Sequence, residues 1–211
     1  MSRGRFITFE GGEGAGKSTQ LKRLVARLEA EGRQVVATRE PGGSPGAESI
    51  RELVLNGAAD RWSPVTETLL MYAARRDHIE RVIRPAIDRG AWVVCDRFAD
   101  STRAYQGAAG GTDPALIAAL ERFILEDVRP DLTLIFDFPP ETGLARATAR
   151  PGAEMRFESK VMAFHERLRE GFLAIAQAEP ERCAVIDADD TIEAVEAQVW
   201  STVQARLAVH G

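Results

Sequence analysis

Short, nearly continuous apolar runs alternate along this chain with longer stretches that carry one apolar stripe. Arg5–Glu10 (RFITFE) is brief and rich in β-branched and aromatic residues, which predicts a strand. In Lys17–Glu31, Leu21, Leu24, Val25 and Leu28 recur at i, i+3, i+4 and i+7, so one helical face is apolar, and Gly32 ends the helix. Gln34–Thr38 predicts a second strand, Pro41–Gly46 a loop, and Ala47–Leu55 a short helix. Ser63-Pro64 reads as N-cap and first helical residue of a helical region reaching about Arg89, bent or restarted at Pro85. Strands follow at Trp92–Asp96, Leu132–Asp137 and Cys183–Asp187, and helices at Asp113–Leu125, Pro140–Arg150, Ser159–Ala178 and Thr191–Val209.

Strands that are apolar throughout and alternate with helices belong to a parallel sheet covered on both faces. The expected fold is therefore α/β, a doubly wound sheet of about five parallel strands. Ligands of such sheets bind beyond the carboxyl ends of the strands. Four chemically rich segments fall there: Gly11–Ser18, Arg39–Gly43, Asp96-Arg97 and Asp137.

The 211 residues suit one domain, 1–211, with no linker or internal repeat to divide it. The net charge of −5 argues against a general nucleic-acid binder, although a local basic pocket remains compatible with it. Cys95 and Cys183 are far apart and form no C-x-x-C spacing, which argues against a disulfide scaffold or zinc site. No apolar run approaches a membrane span and no secretory signal is visible, so the expected location is the cytoplasm, away from the membrane.

Gly11-Gly12-Glu13-Gly14-Ala15-Gly16-Lys17-Ser18 matches G-x-x-x-x-G-K-[ST] between a predicted strand and a predicted helix, with Thr19 next inside that helix. Glycines admit backbone conformations closed to other residues, and successive N–H groups at a helix start converge on phosphate oxygens. Lys17 would meet the β- and γ-phosphates of a nucleoside triphosphate, and the Ser18 hydroxyl with Asp96 would serve Mg2+. The only asparagine, Asn56, precedes Gly57, so the guanine-reading motif of regulatory GTPases is missing. Arginines at strand ends or on neighbouring helices, Arg39, Arg51, Arg75 and Arg97, suggest a second anion site, because a guanidinium forks onto a phosphate and stays charged. Arg146, Arg150 and Arg156 flank Pro151-Gly152 and suggest a lid, about 146–157, that brings cations to the transferring phosphates.

Phe9–Thr19 (FEGGEGAGKST), Thr38–Gly43 (TREPGG), Tyr72–Arg75 (YAAR), Asp96–Gly107 (DRFADSTRAYQG) and Arg129–Leu134 (RPDLTL) together resemble the bacterial thymidylate kinases. The resemblance runs from about Arg5 to the final helix. It implies transfer of phosphate from ATP to dTMP, with Mg2+, in a cytoplasmic homodimer. By match to the family pattern, Glu13 approaches the sugar hydroxyl and Arg39 and Arg97 hold the dTMP phosphate. Arg75 and Gln106 bond the thymine edge, and Tyr105 packs on the deoxyribose where a 2′-hydroxyl would clash. Ser101, Thr102 and Arg51 line the same pocket. Gly14 stands where some members carry a P-loop arginine, so the resemblance assigns the catalytic cation to Arg146, Arg150 and Arg156. The family's usual thymine-stacking Phe is replaced by Met71, whose thioether can pack on a ring face. The apolar excess of Val65–Ile83 offers a dimer face or, equally, core. Competing readings are another P-loop phosphotransferase, either a deoxynucleoside kinase, which needs a carboxylate base near a hydroxyl, or a kinase for a different monophosphate, and an ATP-driven switch or assembly ATPase, which needs no monophosphate.

Overall fold

A computed structural model describes residues 3–58, 60–142 and 158–207. Its centre is one sheet in the order β2-β3-β1-β4-β5. The strands are β1 (Phe6–Gly11), β2 (Val35–Arg39), β3 (Trp92–Asp96), β4 (Leu132–Asp137) and β5 (Cys183–Asp187), and every neighbouring pair is parallel. The doubly wound α/β reading of the sequence therefore holds. β1 lies at the centre and is buried along its whole length, so it carries apolar residues on both faces (Phe6, Ile7 and Phe9) and buries its two polar ones, Thr8 and Glu10, as well.

Alternating side chains of β1 serve different layers. Ile7 and Phe9 join a core with Leu21, Leu24 and Leu28 of α1 (Lys17–Ala30) and with Val199, Trp200 and Val203 of the C-terminal helix. Phe6, on the opposite face, packs with Ile79, Ile83, Val93, Cys95 and Phe98. Glu10 shares that second face and is fully buried.

Between β2 and β3 run α2 (Pro45–Leu55), α3 (Pro64–His78) and α4 (Arg84–Asp88), with a π-helical turn, Ile79–Ile83, joining the last two. The break expected at Pro85 thus begins one turn earlier. Proline lacks an N–H and its ring collides with the carbonyl four residues back, so the widened turn lies N-terminal to it. No hydrophobic period in the sequence marks the next element. After β3, α5 (Ala99–Thr102) runs into a second π-helical segment, Arg103–Ala109, built from small and polar residues with no apolar period. Beyond it lie α6 (Pro114–Leu125), α7 (Glu158–Ala178) and α8 (Ile192–Leu207). Residues 140–142 are helical, which agrees with the start of the Pro140–Arg150 helix. The remainder of that helix, the lid segment and Arg146, Arg150 and Arg156 lie outside the described residues.

Other boundaries shift by a residue or two, as where the β1 ladder continues through Gly11, paired with Phe136. Both cysteines are buried free thiols.

Candidate active site

β1 ends at Gly11 with φ +127°, and a Cβ there would stand 2.5 Å from the Phe136 carbonyl oxygen. The loop then climbs over the sheet and enters α1 through Gly16, a left-handed N-cap that costs glycine nothing. Ala15 is buried under the loop, while Glu13, Gly16, Ser18 and Thr19 are exposed. Lys17 folds back, and its Nζ donates to the carbonyls of Gly11 (3.0 Å) and Gly12 (2.7 Å). Burial, followed by the Arg97 charge, pushes the Lys17 pKa down to about 7. A cavity of about 340 Å³ opens over the loop, lined by Glu13–Thr19, Asp96 and Arg97. The Ser18 hydroxyl donates to an Asp96 carboxylate oxygen at 2.9 Å.

A second cavity, of about 270 Å³, opens between α3, the segment 98–106 and the loop after β2, and it shares Glu13 and Arg97 with the first. Arg97 leaves β3 with φ +70°, unusual for a side-chain-bearing residue. Its guanidinium donates to Gly11 O (3.1 Å), Ser101 Oγ (3.1 Å) and Tyr105 Oη (2.9 Å). Glu10 secures this turn from below, accepting from the Phe98 N–H (2.7 Å) and the Ser101 hydroxyl (2.5 Å). Burial, reinforced by Asp100, pushes the Glu10 carboxyl up to about 7.

Arg75 lies on the far wall and is 3 % exposed. Its Nε donates to Glu40 (2.7 Å), and its Nη2 donates to Phe98 O (2.9 Å) and Thr102 Oγ1 (3.1 Å). Its Nη1 is buried with no partner. The guanidinium is fixed by these bonds in the cavity wall, where it can act only as a hydrogen-bond donor. Glu40 also meets His78 Nδ1 (2.9 Å), whose Nε2 meets Thr38 Oγ1 (2.7 Å). Gly43 fits beside these groups only because it has no side chain; a Cβ would run into His78 Nε2 and Thr38 Oγ1.

Met71, Ser101, Thr102, Tyr105 and Gln106 all line this second cavity, together with Glu40, Glu67, Leu55 and Phe98. Arg39 and Arg51 do not. Arg39 is exposed and forks onto both oxygens of Glu48 at 3.1 Å, and Arg51 donates to Pro41 O at 2.6 Å. Both therefore stand on the rim. Sequence reasoning assigned no role to Glu40 or Glu67. A signal existed for Glu67, since Glu67, Met71 and Arg75 recur every four residues along one face of α3.

A phosphate-cradling loop that meets an arginine-lined pocket across one shared arginine defines a P-loop phosphotransferase. The sequence model of the family described as thymidylate kinase matches residues 9–199. The chain is 68 % identical over 207 residues to the thymidylate kinase of Caulobacter vibrioides, covering 98 % of this chain and 99 % of that one. It is 55 % identical over 206 residues to that of Nitrobacter winogradskyi, covering 97 % and 90 %. The crystal structure of thymidylate kinase from Ehrlichia chaffeensis superposes with a TM-score of 0.78 at 36 % identity, covering 96 % of this chain and 100 % of that one. The chain belongs to the thymidylate kinase family, phosphotransferases that act on dTMP with ATP as donor.

Proposed function

We propose that the loop cavity takes the ATP phosphates, that the arginine-lined cavity takes dTMP, and that the phosphoryl group passes between them beside Arg97. The observation that carries this reading is the common wall. Glu13 and Arg97 line both cavities, so two bound phosphates would meet at one guanidinium. A dTMP phosphate is already an anion at neutral pH, so no strong base is needed, and catalysis reduces to positioning and charge stabilisation. Lys17 exchanges its two loop carbonyls for phosphate oxygens. Arg97 holds the acceptor phosphate, with Tyr105 and Ser101 fixing its plane. The rim arginines Arg39 and Arg51 reach that phosphate by leaving Glu48 and the Pro41 carbonyl. The Arg75 guanidinium meets the thymine edge, Met71 packs on the ring, and Tyr105 lies under the sugar. Arg146, Arg150 and Arg156 would add positive charge from the lid.

Mg2+ fits the donor set at the loop: one hydroxyl, Ser18, and one carboxylate, Asp96, already 2.9 Å apart, with phosphate oxygens and water to complete an oxygen shell. When bound, it would neutralise charge on the donor phosphates. A homodimer is supported by Val65 and Leu69, one turn apart on α3 and 46 % and 47 % exposed. No helix among the described residues is long and apolar enough to cross a membrane, consistent with a cytoplasmic setting.

A nucleoside kinase is disfavoured because the acceptor cavity is walled by the guanidinium groups of Arg75 and Arg97, which suit an anionic acceptor, and because the two carboxylates at the strand ends, Glu10 and Asp96, are engaged. Glu10 is buried and committed to Phe98 and Ser101, and Asp96 faces Ser18. The test is ADP release from ATP and Mg2+ with dTMP, dUMP, ribo-TMP, dCMP, dGMP and thymidine offered separately. dTMP should give the highest rate. Equal ADP release with no acceptor present would sink the proposal.

A further inference from the structure

Gln106 lines the second cavity with an amide whose two ends are chemically opposite, so its orientation decides which ligand edge fits beside it. Gln106 is 7 % exposed and sits in the π-helical segment Arg103–Ala109. Its Nε2 donates to Glu67 Oε1 at 2.7 Å. A carboxylate only accepts, so the amide end beside Glu67 must be the NH2 and the other end must be the carbonyl oxygen. Arg75, on the same cavity wall, carries a guanidinium, which donates and never accepts. The pocket thus presents a fixed donor and, through Glu67, a fixed acceptor. Thymine offers the complementary pair, O4 as acceptor beside N3–H as donor. Cytosine offers the reverse, an amino donor beside a bare N3, and would be mispaired at both points.

We propose that Glu67 is a specificity-determining positioning residue: by holding the Gln106 amide nitrogen it turns the amide oxygen to the base edge and excludes cytosine nucleotides. This deepens the reading of that cavity as the dTMP site and rests on it. Without the carboxylate the amide can rotate by half a turn and offer N–H to cytosine N3. Mispairing of buried polar groups is what gives enzymes large discrimination, whereas shape alone gives little.

Glu67→Gln tests this with almost no change of shape. A second amide can accept from Gln106 Nε2 or donate to Gln106 Oε1, so both orientations become satisfied. The expected result is a fall of about tenfold in the ratio of kcat/KM for dTMP over dCMP, expressed in KM more than in kcat. Glu67→Ala, which strips Nε2 of its acceptor, should move the ratio in the same direction. In a Gln106→Leu background Glu67→Gln should have no further effect on the ratio, because the two residues act as one unit. Equal losses on both substrates with the ratio unchanged would make Glu67 merely structural and overturn the inference. A ratio that falls in Gln106→Leu but not in Glu67→Gln overturns the inference and leaves the site reading standing. A wild-type enzyme without preference for dTMP over dCMP overturns both.

Discussion

Glu40 Oε2 lies 2.7 Å from Arg75 Nε, and the two side chains are 4 % and 3 % exposed. The pair fixes the guanidinium in the wall of the second cavity. Removing one partner of a buried pair strands the other's charge, which costs about 3 kcal/mol or more. Glu40→Gln should therefore lower the urea midpoint by a corresponding amount and raise the KM for dTMP while the KM for ATP stays near wild type. An unchanged urea midpoint would show that Arg75 finds another partner.

Lys17 should make nucleotide binding draw protons. In the free enzyme its pKa is about 7, below the usual 10.5. For a base lowered in the fold, the unfolded chain binds more protons between those two values, so this group's contribution to stability rises with pH across that window and is poorest below about 7. Phosphate in the cradle favours the charged form. ATP binding should then take up protons, more at about pH 8 than at about pH 6, and affinity should weaken as pH rises above about 7. Titration calorimetry in buffers of differing ionisation enthalpy measures the uptake. Lys17→Ala should abolish it and lower kcat by roughly 10²–10³ with the fold retained; near-normal turnover in that variant would remove the mechanism.

Tyr105 has two separable roles. Its hydroxyl accepts from Arg97 Nη2 at 2.9 Å, while its ring faces the cavity under Arg97, 4.8 Å from the guanidinium carbon. Tyr105→Phe should raise the KM for dTMP by roughly tenfold, about the worth of one charge-assisted hydrogen bond. It should keep the preference for deoxy over ribo acceptors, because the ring remains. Comparing dTMP with ribo-TMP in both enzymes checks it.

Leu69→Glu places a charge in the exposed apolar strip of α3. If that strip is a contact between two copies, mass measured across a dilution series should move toward the monomer at higher concentration than in wild type, with helical content unchanged. A wild-type chain that is monomeric throughout would refute the dimer reading.

The alternation of apolar runs and striped helices, and the glycine spacing of the phosphate loop, were enough to read the layer architecture, the sheet type and the place of the loop at a strand end. These are local properties: a strand buried on both faces is mostly apolar, and a left-handed N-cap favours glycine, as at Gly16. Strand order, the segment 99–109 and the partners of each arginine depended on contacts between residues far apart in sequence. Arg39, Arg51, Arg75 and Arg97 look alike in the chain, and only packing separates a buried guanidinium locked by Glu40 from one spread over Glu48 at the surface. Glu67 met Gln106 for the same reason, since two helical segments had to cross before an acceptor could face a donor.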